Sequence, residues 1–158
     1  MKTIKIKDKE FIPMISEAEI KERVKLVAEQ ISNDMKGKNP LLLAVLNGSF
    51  VFAADLMREI TIPSEISFVK LASYQGTTST GKVKEVIGIN EDLTGRTVII
   101  VEDIVESGLT IKQMIESIGT RNPESVHICT LLLKPECLKT ELDIEYAAFQ
   151  IPYASLVG

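Results

Sequence analysis

Residues Val98 to Thr110 read VIIVEDIVESGLT and combine a strand pattern, three acids and a turn of small residues. An apolar, β-branched run ends in the adjacent acids Glu102 and Asp103, and a third acid, Glu106, precedes Ser-Gly-Leu-Thr. Such a run is typical of a strand buried on both faces of a parallel sheet. The small residues after it, followed by apolar residues at helical spacing, indicate a turn that opens a helix.

The same alternation of strand and helix continues on both sides of this stretch. Strands are predicted over Leu41–Leu46, Glu65–Ser73, Thr97–Glu102, Ser125–Lys134 and Tyr146–Ile151. Ser16 and Glu19 form a capping-box pattern that predicts the start of a long helix. The pattern predicts an α/β fold, a mostly parallel twisted sheet flanked by helices, in a single domain over residues 1–158.

A polar segment rich in glycine, serine and threonine interrupts this alternation. Residues Tyr74–Lys84 read YQGTTSTGKVK. Long polar loops inside compact domains often cover a site, so we expect a flexible lid here.

Composition and cysteine spacing argue against several classes of protein. The 158 residues carry a net charge of −4, which disfavours a nucleic-acid-binding protein. No apolar run reaches the roughly 20 residues of a membrane span. Cys129 and Cys137 fit neither a CxxC pair nor a disulfide framework, so we expect a reducing, cytoplasmic location. His127 has no second histidine to share a metal and is expected to be structural.

The acids and the turn together suggest a divided binding site. Ligands of open parallel sheets bind outside the carboxyl ends of the strands. Unpaired amides at a helix N-terminus, with Ser107, Gly108 and Thr110, are suited to hold a phosphate. Carboxylates repel phosphate, so Glu102 and Asp103 would bind ribose hydroxyls or Mg²⁺ instead. Alternatively, the acids only stabilise the helix dipole.

At these residues the sequence resembles the type I phosphoribosyltransferases, and more closely the hypoxanthine(-guanine) phosphoribosyltransferases. VIIVEDIVESGLT resembles the signature that binds phosphoribosyl pyrophosphate. LLLAVLNGSFVFAADL resembles the pyrophosphate loop of the family, SFVKLASYQGTTSTGKVK its strand and lid, and LLLKPE the strand end with a purine-reading lysine. The likeness extends over nearly the whole chain.

The resemblance implies that a 6-oxopurine reacts with phosphoribosyl pyrophosphate, with Mg²⁺ as cofactor, to give a nucleoside monophosphate and pyrophosphate. Glu102 and Asp103 would bind the ribose hydroxyls and the metal. Glu106, where the family usually has aspartate, would lie near N7 of the purine as general base or acid. Ser107, Gly108 and Thr110 would hold the 5′-phosphate.

The resemblance also assigns the remaining subsites. Leu46, Asn47 and Gly48 would bind pyrophosphate, and Asn47 stands where many relatives have lysine. The family often has a cis peptide bond in this loop. Lys134 would donate to the 6-oxo oxygen, and Ser73 with Tyr74 would close over the site. Family members are usually homodimers or homotetramers.

The C-terminus departs from the family pattern. The sequence ends IPYASLVG, with Ser155 at the position of an aromatic residue that stacks on the purine and Leu156 at the adjacent purine-contacting position. We expect the chain to lack the usual C-terminal segment. Two alternatives to an active enzyme follow: a regulatory protein that binds phosphoribosyl ligands, or a truncated, inactive relative.

Overall fold

The computed structural model describes residues 3–7, 9–11, 14–73 and 83–152. The helices are α1 (Glu17–Asp34), α2 (Phe50–Glu59) and α3 (Leu109–Gly119), with a short 3₁₀ helix at Pro135–Cys137. The strands are β1 (Ile4–Ile6), β2 (Lys9–Phe11), β3 (Leu41–Leu46), β4 (Glu65–Ser73), β5 (Val83–Ile87), β6 (Thr97–Val105), β7 (Ser125–Leu133) and β8 (Tyr146–Gln150).

The main sheet has the strand order β5-β4-β3-β6-β7-β8. Strands β4, β3, β6, β7 and β8 are parallel, and β5 pairs antiparallel with β4. The chain proceeds from β3 to β4 on one side and from β6 to β7 on the other, so the order reverses between β3 and β6. Such a reversal opens a crevice at the carboxyl ends of the two strands. The predicted α/β fold is confirmed.

Helices cover both faces of the sheet because its central strands are apolar on both sides. In β3, Leu42 and Ala44 pack with α1 and α2, whereas Leu41 and Leu43 pack with α3. This alternation follows from the two-residue period of a strand. The sheet is therefore held between two apolar layers, and its carboxyl edge is left for the site.

The long helix α1 begins as predicted from its capping box. Ser16 Oγ accepts a hydrogen bond from the Glu19 amide at 3.2 Å, and the Glu19 carboxylate accepts one from the Ser16 amide at 3.4 Å. Two donors that the first helical turn leaves unpaired are thereby satisfied. Within the described ranges, none of the helices combines the length and the hydropathy of a membrane span.

Several boundaries differ from the sequence prediction. Strands β7 and β8 each end one residue earlier than predicted, at Leu133 and Gln150. Strand β6 continues to Val105, because its pairing with β7 continues through Glu102–Thr130 to Val105–Leu133. Asp103 therefore lies within the end of the strand, as Glu102 does, and only Glu106 follows it. The predicted lid was too long at its C-terminal end, since Val83 and Lys84 lie in β5. The rest of it, residues 74–82, lies outside the described part of the chain.

Candidate active site

The end of β6 and the first turn of α3 enclose a cavity of about 180 Å³. Its wall is a continuous stretch of the chain. The lining residues are Glu102, Ile104, Val105, Glu106, Ser107, Gly108, Thr110 and Ile111. Four of the five predicted ribose- and phosphate-site residues thus line one cavity together with the predicted general base Glu106. The fifth, Asp103, lies within the same stretch of β6.

Glu102 and Asp103 are adjacent carboxylates in a poorly solvated position. Burial, and secondly the negative charge of Asp103, raise the pKa of Glu102 to about 8. Asp103 Oδ1 accepts a hydrogen bond from the Ile104 amide at 2.9 Å. Two crowded carboxylates, one of them with a raised pKa, form a site that a cation or hydroxyl donors would stabilise.

The predicted pyrophosphate loop lies directly beside this pair. The Leu46–Asn47 peptide bond, at the end of β3, is cis. A Cβ atom built on Gly48 would lie 2.5 Å from Asp103 Oδ2, so only glycine allows this close approach. Asn47 and Gly48 are exposed to solvent. The reversal of strand order between β3 and β6 therefore brings the two predicted subsites together.

The turn between β6 and α3 has the backbone conformation expected of a phosphate-binding turn. Gly108 has φ +78°, in the left-handed region that favours glycine. The Leu109 amide donates to Ser107 Oγ at 3.3 Å, and α3 begins with the Lys112 amide donating to the Gly108 carbonyl at 3.0 Å. Ser107 and Thr110 place hydroxyls at the N-terminus of α3, where the helix dipole favours an anion.

Lys134 and Glu106 form an ion pair at the neighbouring strand ends. Lys134 Nζ lies 3.3 Å from Glu106 Oε2. The lysine side chain is 6% exposed and the glutamate side chain 53% exposed. The Lys134 amide also donates to the Val105 carbonyl at 3.0 Å. The predicted purine-reading lysine therefore lies beside the predicted general base.

Sequence reasoning missed the segment that lies behind the turn. The atoms nearest to a Cβ built on Gly108 belong to Leu142, Leu138 and Thr140. The Lys139 amide donates to the Ser107 carbonyl at 3.0 Å. These residues belong to the connection between β7 and β8, which we call the β7–β8 connection (residues 134–145). The apolar spacing of Leu138, Leu142 and Ile144 was the signal in the sequence that this segment is packed.

The remaining predicted site residues are less fully described. Ser73 is the last residue of β4 and pairs with Val83. Tyr74 and Leu156 lie outside the described residues, as does Ser155. His127 is far along β7 from the site, and its ring nitrogens contact Glu145 Oε2 at 2.6 Å and Ser125 Oγ at 2.8 Å. These contacts fit the structural role predicted for it.

The donor set at the site is compatible with magnesium shared with a substrate. In the part of the chain that the structure describes, no cluster of three or more metal-ligating side chains is found. Magnesium is commonly bound by one or two carboxylates together with substrate phosphates, and it keeps several waters. Glu102 and Asp103 provide two such carboxylates beside the predicted pyrophosphate loop.

Comparison with protein families gives one matching domain. A family model described as phosphoribosyl transferase domain matches residues 16–157 of this chain. The match includes the end of β3, the acids of β6, the turn before α3 and Lys134. The residues of the cavity therefore lie within the matched domain.

Individual proteins show the same similarity over most of their length. A hypoxanthine phosphoribosyltransferase of Buchnera aphidicola is 45% identical, over 92% of this chain and 84% of that protein. A crystal structure of a hypoxanthine-guanine phosphoribosyltransferase from Bacillus anthracis superposes with a TM-score of 0.85 at 45% identity, covering 90% of this chain and 84% of the other. A Trypanosoma cruzi hypoxanthine phosphoribosyltransferase in complex with the product IMP gives a TM-score of 0.83 at 36% identity, covering 89% and 80%.

Proposed function

The chain belongs to the phosphoribosyltransferase family, and we propose that it is a purine-salvage enzyme of the hypoxanthine(-guanine) type. It converts hypoxanthine, and also guanine, with phosphoribosyl pyrophosphate to IMP or GMP and pyrophosphate. The observation that carries this proposal is the pairing of Lys134 with Glu106 next to the phosphate-binding turn. One site thereby presents groups for a purine edge and for a sugar phosphate.

The phosphoribosyl half of the substrate binds along the end of β6. The amides of the turn and the hydroxyls of Ser107 and Thr110 hold the 5′-phosphate, since these donors lie at the N-terminus of α3. Glu102 and Asp103 accept hydrogen bonds from the ribose hydroxyls. Leu46, Asn47 and Gly48 hold the pyrophosphate group beside Asp103, which orients the bond that breaks at C1′.

The purine half binds against Lys134 and Glu106. In a 6-oxopurine, O6 and N7 are neighbours on one edge of the ring, so an ammonium and a carboxylate 3.3 Å apart can bind them together. Lys134 donates to O6, and the Glu106 carboxylate accepts the proton from N7 as N9 bonds to C1′ and pyrophosphate departs. A proton carried by a positioned carboxylate in this way is general acid–base catalysis.

Glu102 and Asp103 would also hold magnesium, together with oxygens of the ribosyl donor. The chemistry that bound magnesium supplies is neutralisation of the charge on the pyrophosphate leaving group. Glu102 would hold the metal as a carboxylate, and a cation bound there would lower the pKa of Glu102, which burial and the charge of Asp103 raise in its absence. Ser73 and Tyr74 are proposed to close over the site during transfer, and Leu156 to contact the purine.

The assembly and the cellular location are further parts of the proposal. We place the enzyme as a homodimer or homotetramer in the cytoplasm. The support for assembly is apolar surface next to the pyrophosphate loop, where Phe50 is 59% and Val51 55% exposed. The support for the location is that Cys129 and Cys137 are both free thiols.

A substrate panel tests the function. The chain is incubated with phosphoribosyl pyrophosphate, Mg²⁺ and, in turn, hypoxanthine, guanine, xanthine or adenine, and nucleotide formation is followed. We expect IMP from hypoxanthine and GMP from guanine, and no product from adenine, whose 6-amino group cannot accept from Lys134. Absence of product with all four purines, together with no calorimetric binding of the donor, would overturn the proposal.

A further inference from the structure

The β7–β8 connection holds the turn between β6 and α3 at two points, one on each side of Glu106. The Lys134 amide donates to the carbonyl of Val105, and the Lys139 amide donates to the carbonyl of Ser107, each at 3.0 Å. Both bonds join backbone to backbone. The Val105–Glu106 and Ser107–Gly108 peptide units are therefore both fixed to the same segment of chain.

Leu142 supplies a third contact, made by its side chain. A Cβ built on Gly108 would lie 2.6 Å from Leu142 Cδ1, compared with 3.2 Å from Leu138 Cδ2 and 3.4 Å from Thr140 Cγ2. Gly108 is buried, and the cavity is lined by residues of the stretch 102–111. Leu142 therefore contacts the turn from behind, and the turn cannot move away from the ligand without displacing it.

The connection is anchored in the apolar layer below the turn. Val105, Ile111, Ile128 and Leu133 form a buried cluster, and Leu138, Leu142 and Ile144 pack against it. Side chains in such a cluster are close-packed, so a small displacement of one is transmitted to its neighbours. The core thus fixes the position of Leu142, and Leu142 in turn restricts the position of Gly108.

We propose that Leu142 is a positioning residue for the phosphate-binding turn and sets the affinity of the enzyme for the 5′-phosphate of the ribosyl donor. This inference rests on the proposed function. The turn binds phosphate through backbone amides whose directions are fixed by the fold and not by flexible side chains. A displacement of about 1 Å in such a site can cost on the order of a hundredfold in rate.

The test compares Leu142→Ala with Ile144→Ala. Both substitutions truncate a partly buried aliphatic side chain of the same cluster, but the atom nearest to Gly108 belongs to Leu142. In steady-state assays we expect Leu142→Ala to raise the KM for phosphoribosyl pyrophosphate about tenfold and to leave the KM for hypoxanthine nearly unchanged. Ile144→Ala should retain the donor KM of the wild type. Leu142→Met, which restores most of the volume, should recover most of the donor affinity.

Several results would overturn the inference while the proposed function stands. With an active wild type, an equal donor KM in the two alanine variants, or equal rises in the KM values of donor and purine, would make Leu142 an ordinary core residue. If Leu142→Ala does not fold, Leu142→Val is measured instead, because it removes the δ-carbons but keeps a branched apolar side chain. An unchanged donor KM in a folded Leu142→Val would likewise overturn the inference.

Discussion

Lys134 Nζ lies 3.3 Å from Glu106 Oε2, and the two side chains differ sharply in their exposure to solvent. The lysine is nearly buried, whereas the glutamate is half-exposed at the mouth of the cavity. A buried ammonium needs compensating partners, and in the ligand-free enzyme Glu106 is one of them. In the proposed function, the O6–N7 edge of the purine lies against both groups.

Glu106→Gln should reduce kcat much more than donor binding. The amide keeps the size of the side chain but cannot carry the N7 proton, so we expect kcat to fall about a hundredfold or more. The dissociation constant of phosphoribosyl pyrophosphate, measured by calorimetry, should change far less. Glu106→Asp is the matched control, because it keeps a carboxylate and should retain more activity than Glu106→Gln. Equal losses in kcat and donor affinity would instead mean that Glu106 holds ribose or metal.

Lys134→Met should weaken purine binding selectively. Methionine keeps much of the apolar stem but removes the ammonium, and a hydrogen bond to a charged donor contributes about 1.5–3 kcal/mol. We therefore expect the KM for hypoxanthine to rise about ten- to a hundredfold. The donor KM should stay near that of the wild type. Lys36→Met, at an exposed position after α1, controls for loss of charge. A rise in donor KM as large as that for purine would contradict the assignment.

The sequence was sufficient for the features that depend on local pattern. The apolar run of β3 gave its bounds, and the Ser16–Glu19 pattern gave the start of α1. The acids and the Ser-Gly-Leu-Thr turn predicted a site at the end of β6, where Glu102, Ser107, Gly108 and Thr110 do line one cavity. That this cavity binds the phosphoribosyl group stays a prediction. Each of these is encoded within a few neighbouring residues, by side-chain period, capping or turn chemistry.

Features that depend on contacts between distant segments could not be predicted. Strand β6 extends past its apolar run to Val105 because β7 continues to pair with it. The approach of Gly48 to Asp103 depends on β3 and β6 being neighbours in the sheet. The packing of Leu142 against Gly108 joins residues of two strand connections. Periodicity along one segment carries no information about which other segment will meet it.

Gly48→Ala should damage the proposed pyrophosphate and metal subsites. The added Cβ would lie 2.5 Å from Asp103 Oδ2, so the loop or the carboxylate must move. Movement of this size should lower kcat/KM for phosphoribosyl pyrophosphate at least about tenfold. Gly119→Ala is the matched control, since a Cβ there meets nothing within 4 Å at the end of α3. Full activity of Gly48→Ala would show that the close approach to Asp103 is not needed for the reaction.

Glu102→Gln should stabilise the ligand-free enzyme in a pH-dependent way. The folded-state pKa of Glu102 is about 8, above its usual 4.5, so folding takes up a proton between these values. The free energy of unfolding of the wild type therefore falls as the pH rises from about 4.5 to about 8. Glutamine cannot ionise, so the free energy of unfolding of the variant does not fall for this reason. In EDTA, the Tm of Glu102→Gln relative to wild type should increase from pH 5 to pH 8, by about 2–4 °C for each kcal/mol.

Asp92→Asn is the control: the Thr94 amide lowers the pKa of Asp92, which is ionised throughout this range. If the Tm difference between Glu102→Gln and the wild type stays constant with pH, burial does not keep the Glu102 carboxyl group protonated.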